Sequence, residues 1–344
     1  MPLPLMGHIG SKHIWRYLHD LLHIHSMTKV IIGVHGLGNK PPKEILENWW
    51  REAMIEGLKK IGKSFRFPKF ELVYWADILY DKPLDEYIKD KEDPYFLDEK
   101  YVPGVSDFKP VENSLRQKVL DFIEEQLDKL FLNEDLTVNY AEITDMVIHR
   151  YFKDLEMYYQ EECLDEHNKI CLARSLIRQR VVDTLKKYEG KDILLIGHSM
   201  GSIIAYDVLT FLLPEIEIDT FITIGSPLGF PVVQGKIAAE WHEKRLVPPK
   251  LKTPPGVKKH WYNLADLKDR IALIYDLSEN YKANWRGVVA EDFVVRNDYQ
   301  QNHVFNPHKS YGYLRTREFA SLVTKFTKNQ PVIQRIFRRV FSSG

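Results

Sequence analysis

From residue 29 onward, short apolar runs alternate with longer amphipathic stretches. Val30-Ile31-Ile32-Gly33-Val34 is unbroken by polar residues, the pattern of a strand buried on both faces. A helix is predicted over about 42–61, where Ile45, Trp49, Met54 and Leu58 fall on or near one face. Phe70 to Trp75 reads as a second strand. After a long segment of different character come a helix (about 173–188), the strand Ile193–Ile196 and a helix (about 200–213). The strand Thr220–Ile224 is next, followed by strands near Trp261–Leu264 and Phe293–Val295 and by basic helices. Strand and helix alternating at this spacing imply an α/β fold, with a mostly parallel sheet covered on both faces. Right-handed crossovers then collect the strand C-termini, and any ligand site, along one edge.

The intervening segment breaks the pattern through its charge. The whole chain of 344 residues carries 48 basic and 48 acidic side chains, yet residues 81–172 hold 11 basic and 24 acidic. That is −13, against +13 for the rest, so an acidic insertion leaves an α/β core spanning 28–344. Charge complementarity between the two is expected, as is a site that does not favour strongly anionic ligands. The insertion is helical by periodicity: Leu115, Val119, Phe122, Ile123, Leu127 and Leu130, then less regularly Ile143, Met146, Val147 and Met157. Its many aromatic residues favour a cap over the site, supplying an apolar pocket, over a solvated side subdomain.

Composition narrows the class. At 44% hydrophobic and 28% charged, the chain has an ordinary globular mix, and neither a basic nucleic-acid binder nor a disordered chain fits. No apolar run approaches the roughly 20 residues of a membrane span. The two cysteines, Cys163 and Cys171, point to a reducing cytoplasm. Their spacing matches none of the common zinc patterns, so no metal is expected. Residues 1–27 form a His-rich N-terminal extension that is not patterned as a signal peptide, since Arg16, His19 and Asp20 interrupt its apolar residues. Near the C-terminus, 331–341 places Val332, Ile333, Ile336, Phe337, Val340 and Phe341 on one helical face with arginines elsewhere. Docking on its own domain is the expected use of that face, and peripheral membrane contact is the alternative.

The chemistry sits at a strand end. Gly197-His198-Ser199-Met200-Gly201 is G-x-S-x-G directly after Ile193–Ile196 and directly before a helical pattern. In that context the serine occupies a tight turn that lifts its Oγ out of the sheet, and the flanking glycines relieve crowding. The turn also aims the Met200 N–H, at a helix N-terminus, at the place where an oxyanion would form. A P-loop is disfavoured because the Lys-Ser/Thr pair is missing. His35-Gly36-Leu37-Gly38 ends the first strand and offers the Leu37 N–H as a second oxyanion donor.

With these motifs in view, the chain resembles the α/β-hydrolase serine esterases and lipases. Gly197 to Leu209 resembles the nucleophile turn and helix of intracellular phospholipase A1 proteins and related bacterial lipase-like hydrolases. Ile222-Thr223-Ile224-Gly225-Ser226-Pro227-Leu228-Gly229 resembles the strand and loop that follow it, and Trp261 to Ala272 the aspartate-bearing segment. The likeness covers about 28–80 and 180–315 and leaves out the acidic insertion. It implies a triad in the order Ser, acid, His. Asp266 and Asp269 compete for the acid, and the family pattern of an acid just before an apolar pair favours Asp269. His303 and His308 both follow the strand at Phe293–Val295, and His308 resembles the family's His-x-x-Tyr. His35 and His198 are expected to be neighbours of the site.

The expectation is therefore a serine hydrolase acting on a small-molecule ester or lipid, with no metal or organic cofactor and no nucleic-acid partner. An acyltransferase with the same triad is the alternative. A catalytically silent binding module on the same fold is a third reading, disfavoured because all three triad residue types are present.

Overall fold

The computed structural model describes residues 29–64, 67–104, 158–159, 163–164, 170–171, 173–244, 251–272 and 274–328. Six strands form one sheet: β1 (Lys29–Val34), β2 (Lys69–Val73), β3 (Asp192–His198), β4 (Ile218–Ile224), β5 (Val257–Ala265) and β6 (Ala290–Val294). Their order is β2-β1-β3-β4-β5-β6, and every neighbouring pair is parallel. The helices that cover it are α1 (Lys43–Lys60), α2 (Ala173–Lys187), α3 (Met200–Asp207), α4 (Pro231–Glu243), α5 (Ser310–Leu314) and α6 (Arg317–Thr327). A π-helical turn, Val208–Leu212, prolongs α3.

Side-chain alternation in the strands builds two cores. Val30, Ile32, Val34, Ile193 and Leu195 pack with α2, α3 and α4 on one face, whereas Ile31, Leu194 and Ile196 pack with α1, α5 and α6 on the other. Both faces are thus apolar, which is why these strands read as continuous hydrophobic runs. Gly33 inside β1 has a packing reason, because a Cβ there would lie 2.8 Å from the Trp50 ring.

The predicted elements recur with shifted ends. The strand expected at Phe70–Trp75 is Lys69–Val73, and Trp75 instead opens a short 3-10 turn at Ala76–Ile78. Helix α1 buries Leu46, Trp50, Ala53, Met54 and Leu58, so its inner face passes through Leu46 and Trp50 rather than the half-buried Ile45 and Trp49. The helical periodicities at 115–157, the extension at 1–27 and the stretch 331–341 lie outside the described residues, apart from isolated positions near the insertion's C-terminal end. No helix among the described residues is long and apolar enough to cross a membrane.

A buried ionic cluster ties the three helices of one face together. Arg178 on α2 makes a bidentate pair with Glu240 on α4 at 2.9 and 2.7 Å, and its guanidinium also bonds Asp207 at the end of α3. Arg174 reaches Glu240 at 2.7 Å and Asp207 at 3.2 Å. Tyr158, near the end of the acidic segment, donates to Asp207 at 3.0 Å. Removing one partner of such a cluster strands charge in a dry interior. Asp207→Ala is therefore expected to cost about 3–5 kcal/mol of stability, measured by urea unfolding. A loss below about 1 kcal/mol would show that the cluster does not hold these helices.

Candidate active site

The strand order reverses between β1 and β3, because β2 lies beyond β1 while β4 to β6 follow β3. A crevice opens outside the strand C-termini at such a switch point. His35 to Gly38 leaves β1 there, and Gly197 to Gly201 links β3 to α3.

Ser199 holds φ 53° and ψ −127°, a conformation that side-chain-bearing residues rarely adopt. Neighbouring groups over-determine it. The Ser199 N–H donates to the Ile224 carbonyl at 3.1 Å, and the Ser202 hydroxyl donates to the Gly197 carbonyl at 2.9 Å. A Cβ on Gly197 would lie 2.6 Å from Ser202 Cα, and one on Gly201 would lie 2.2 Å from the Val34 carbonyl oxygen. Part of the glycine requirement at 201 is therefore tertiary: the end of β1 presses on the start of α3.

Three side chains meet in line. His308 Nε2 is 2.9 Å from Ser199 Oγ, and His308 Nδ1 is 2.9 and 3.0 Å from the two oxygens of Asp269. Asp269 is fully buried; it also accepts the Ile271 N–H at 3.0 Å and the Tyr313 hydroxyl at 2.7 Å. Burial, and then the Asp269 charge, hold the Tyr313 phenol well above its ordinary range, so it remains a donor. Gly225, at φ 54°, passes close to the trio: a Cβ there would lie 3.0 Å from Asp269 Oδ2 and 3.3 Å from His308 Nδ1. With Asp269 orienting Nδ1–H, Nε2 is free to accept the serine proton, an arrangement suited to nucleophilic attack by Ser199. The loop after β1 lies against the serine, since a Cβ on Gly36 would lie 2.8 Å from Ser199 Cβ.

The competing residues lie elsewhere. Asp266 is buried and turned to the backbone, accepting the N–H groups of Lys268 at 2.8 Å and Asn297 at 2.6 Å. Burial raises its carboxyl to about 6. Asn297 in turn donates to the Lys309 carbonyl at 2.8 Å, so Asp266 braces the loop that carries His308. His303 is exposed at the tip of the Gln300–Gln301 and Val304–Phe305 hairpin, with φ 64°. Tyr311, the tyrosine of the expected His-x-x-Tyr, packs among Trp49, Tyr101 and Tyr299. Tyr313 touches the acid instead, and sequence reasoning missed it; its signal was only the placement of a second tyrosine five positions after His308.

His35 and His198 are structural neighbours held uncharged. Burial, aided by the Lys40 charge, pushes the His35 imidazole down to about 3. Its Nδ1–H donates to the Gly36 carbonyl at 2.8 Å while Nε2 accepts the Trp75 N–H at 3.0 Å, stitching the ends of β1 and β2 together. Burial and the His308 ring hold His198 well below the ordinary histidine range. Its Nε2–H donates to the His308 carbonyl at 2.8 Å. Among the described residues no group of His, Cys, Asp or Glu has the arrangement of a metal site.

Residues 177–234, which run from α2 through Ser199 into α4, match the family model described as lecithin:cholesterol acyltransferase. That family is lipase-like and built on the α/β-hydrolase fold, in keeping with the parallel sheet and flanking helices described above. No curated protein matches. An uncharacterized protein from Bacillus cereus ATCC 10987, known from a crystal structure at 2.75 Å, aligns at 10% identity, covering 96% of this chain and 69% of its own, with a TM-score of 0.28.

The neutral His35 carries a signed pH dependence. Its folded value of about 3 lies below the unfolded 6.5, so the unfolded chain binds the extra proton between them. Its contribution to stability is complete above pH 6.5 and is lost as pH falls toward 3. His35→Gln should flatten the stability–pH slope in this window by about 1.4 kcal/mol per pH unit, read from urea titrations at a series of pH values. An unchanged slope would mean that His35 is not the buried neutral group described here.

Proposed function

We propose that this chain is a serine hydrolase that cleaves the carboxylic ester of a lipid or acyl substrate through an acyl-enzyme. The observation that carries the proposal is the continuous line Ser199–His308–Asp269, with contacts of 2.9 Å and 2.9–3.0 Å, on a turn that strains the serine backbone. In the proposed reaction, neutral His308 takes the Ser199 proton as Oγ attacks the acyl carbonyl. Asp269 holds the Nδ1–H tautomer and stabilises the imidazolium, and Tyr313 and the Ile271 N–H fix the carboxylate. The Leu37 and Met200 N–H groups receive the developing oxyanion. His308 then gives its proton to the leaving alcohol, and water releases the acyl group by the reverse sequence.

Lipid is favoured as substrate by the likeness of 177–234 to lecithin:cholesterol acyltransferase and by the resemblance of the core motifs to intracellular phospholipase A1. The same match supports a second reading, transfer of the acyl group to an acceptor alcohol in place of water. The two differ only in what reaches the acyl-enzyme.

Ser199→Ala is expected to abolish fluorophosphonate labelling and to lower ester turnover on the order of 10⁶-fold, as removal of the nucleophile does in other triad enzymes. Labelling retained in that variant would overturn the assignment. A panel of acyl esters and phospholipids, with and without competing alcohols, separates the two readings: free fatty acid as the main product means hydrolysis, and a new ester means transfer.

A further inference from the structure

Glu99 belongs to the acidic segment, not to the motifs that resemble known hydrolases, yet it grips the loop on which His308 is mounted. Its Oε1 accepts an N–H of the Asn306 side chain, and its Oε2 accepts the Lys309 ammonium at 2.7 Å. These residues stand two before and one after His308. The Asn306 side-chain oxygen in turn accepts the His308 N–H at 3.0 Å, closing a turn around Pro307. One carboxylate therefore holds both shoulders of the histidine.

The acidic segment does not need Glu99 to stay in place. The Lys100 N–H donates to the Gln301 side chain at 2.9 Å, and the Tyr299 hydroxyl donates to the Lys100 carbonyl at 2.6 Å. Arg315 donates to the Val102 carbonyl, and the Gly104 N–H donates to Glu56 at 3.0 Å. These anchors fix the backbone on the C-terminal side of Glu99 and leave its side chain to bind the loop. On the other side of the loop, the His308 carbonyl is held by His198 and the Lys309 carbonyl by Asn297. The loop is thus clamped from the core and from the acidic segment together. Burial pushes the Glu99 carboxyl up, but the Lys309 charge and the hydrogen bonds from Lys309 and Asn306 outweigh it and hold the group below the ordinary glutamate range. It is a charged clamp at neutral pH.

We propose that Glu99 is a positioning residue for the His308 imidazole, fixing through Asn306 and Lys309 the loop that aligns it between Ser199 and Asp269. The inference rests on the serine-hydrolase reading above. His308 must satisfy two short contacts at once, and a displacement of about 1 Å at such a pair costs on the order of 10²-fold in rate.

The test compares wild type, Glu99→Ala, Glu99→Gln and Glu86→Ala. Glu86 is in the same segment and carries the same charge, but its carboxylate faces the half-buried Lys100 side chain at 3.8 Å and, among the described residues, touches nothing on the His308 loop. Readouts are kcat and KM on a short-chain p-nitrophenyl ester, the rate of fluorophosphonate modification, and the thermal midpoint. Glu99→Ala should lower kcat and the modification rate together by about 10–100-fold with KM within about twofold, because the lost interaction acts only on the reacting geometry. Glu99→Gln, which keeps an acceptor for Asn306 but loses the charge facing Lys309, should fall between it and wild type, and Glu86→Ala should match wild type. If Glu99→Ala does not fold, the near-isosteric Glu99→Gln decides, with a loss of about threefold or more expected. Wild-type rates in the folded Glu99 variants, or an equal loss in Glu86→Ala, would overturn this inference alone. Failure of the wild type to be modified at Ser199 would overturn the hydrolase reading and this inference with it.

Discussion

The constraint on which the site depends is the approach of the α3 N-terminus to the end of β1, where a single methyl group at Gly201 would sit 2.2 Å from the Val34 carbonyl oxygen. That contact brings the β3–α3 turn against the turn that follows β1. Gly36 there comes so close that a Cβ on it would lie 2.8 Å from Ser199 Cβ, and Ser199 is confined to a backbone conformation that would otherwise relax. A strained backbone of this kind persists only where the surroundings over-determine it. Here the fixed surroundings are a fully parallel sheet with a dry core on each face.

The electrostatic design follows from the same burial. Several imidazoles and carboxylates crowd the strand ends, and desolvation sorts them into different roles. His35 and His198 are held uncharged, so they serve as fixed donors and acceptors that tie loops together. Asp266, turned toward two backbone N–H groups, supports the histidine loop from below, while Asp269, a turn later, meets the imidazole directly. One local contact between the acidic segment and the basic remainder is the Glu99–Lys309 pair. Local pairing of this kind resists salt better than a long-range field does.

Much of the fold was legible because its signals are local. An apolar run ending in Gly-x-Ser-x-Gly and leading into a helical pattern carries its own backbone geometry, and so do the strands around it. The misjudged features had weaker local signals. The inner face of α1 is displaced by one residue, since Ile45-Leu46 and Trp49-Trp50 are adjacent apolar pairs and packing against Gly33 selects Trp50. Trp75 looked like strand and instead stacks on His35 at 4.7 Å, drawn out of the sheet by that ring and by the His35 carbonyl. Tyr313 and Glu99 went unnoticed because neither has a local pattern that marks it: one is a helix-face tyrosine, the other one acid among many.

The sequence alone determined the alternating parallel architecture, the turn that carries Ser199, and the short list of residue types able to complete a triad. Those follow from period, steric allowance and side-chain chemistry, which act over a few residues. Only the tertiary structure places Asp269 and His308, and not Asp266 and His303, in line with Ser199, and only it brings Glu99 to the loop that carries His308. Those choices depend on which loops from distant strands converge at the switch point. Convergence is set by packing between elements some tens or hundreds of residues apart, and no local pattern encodes it.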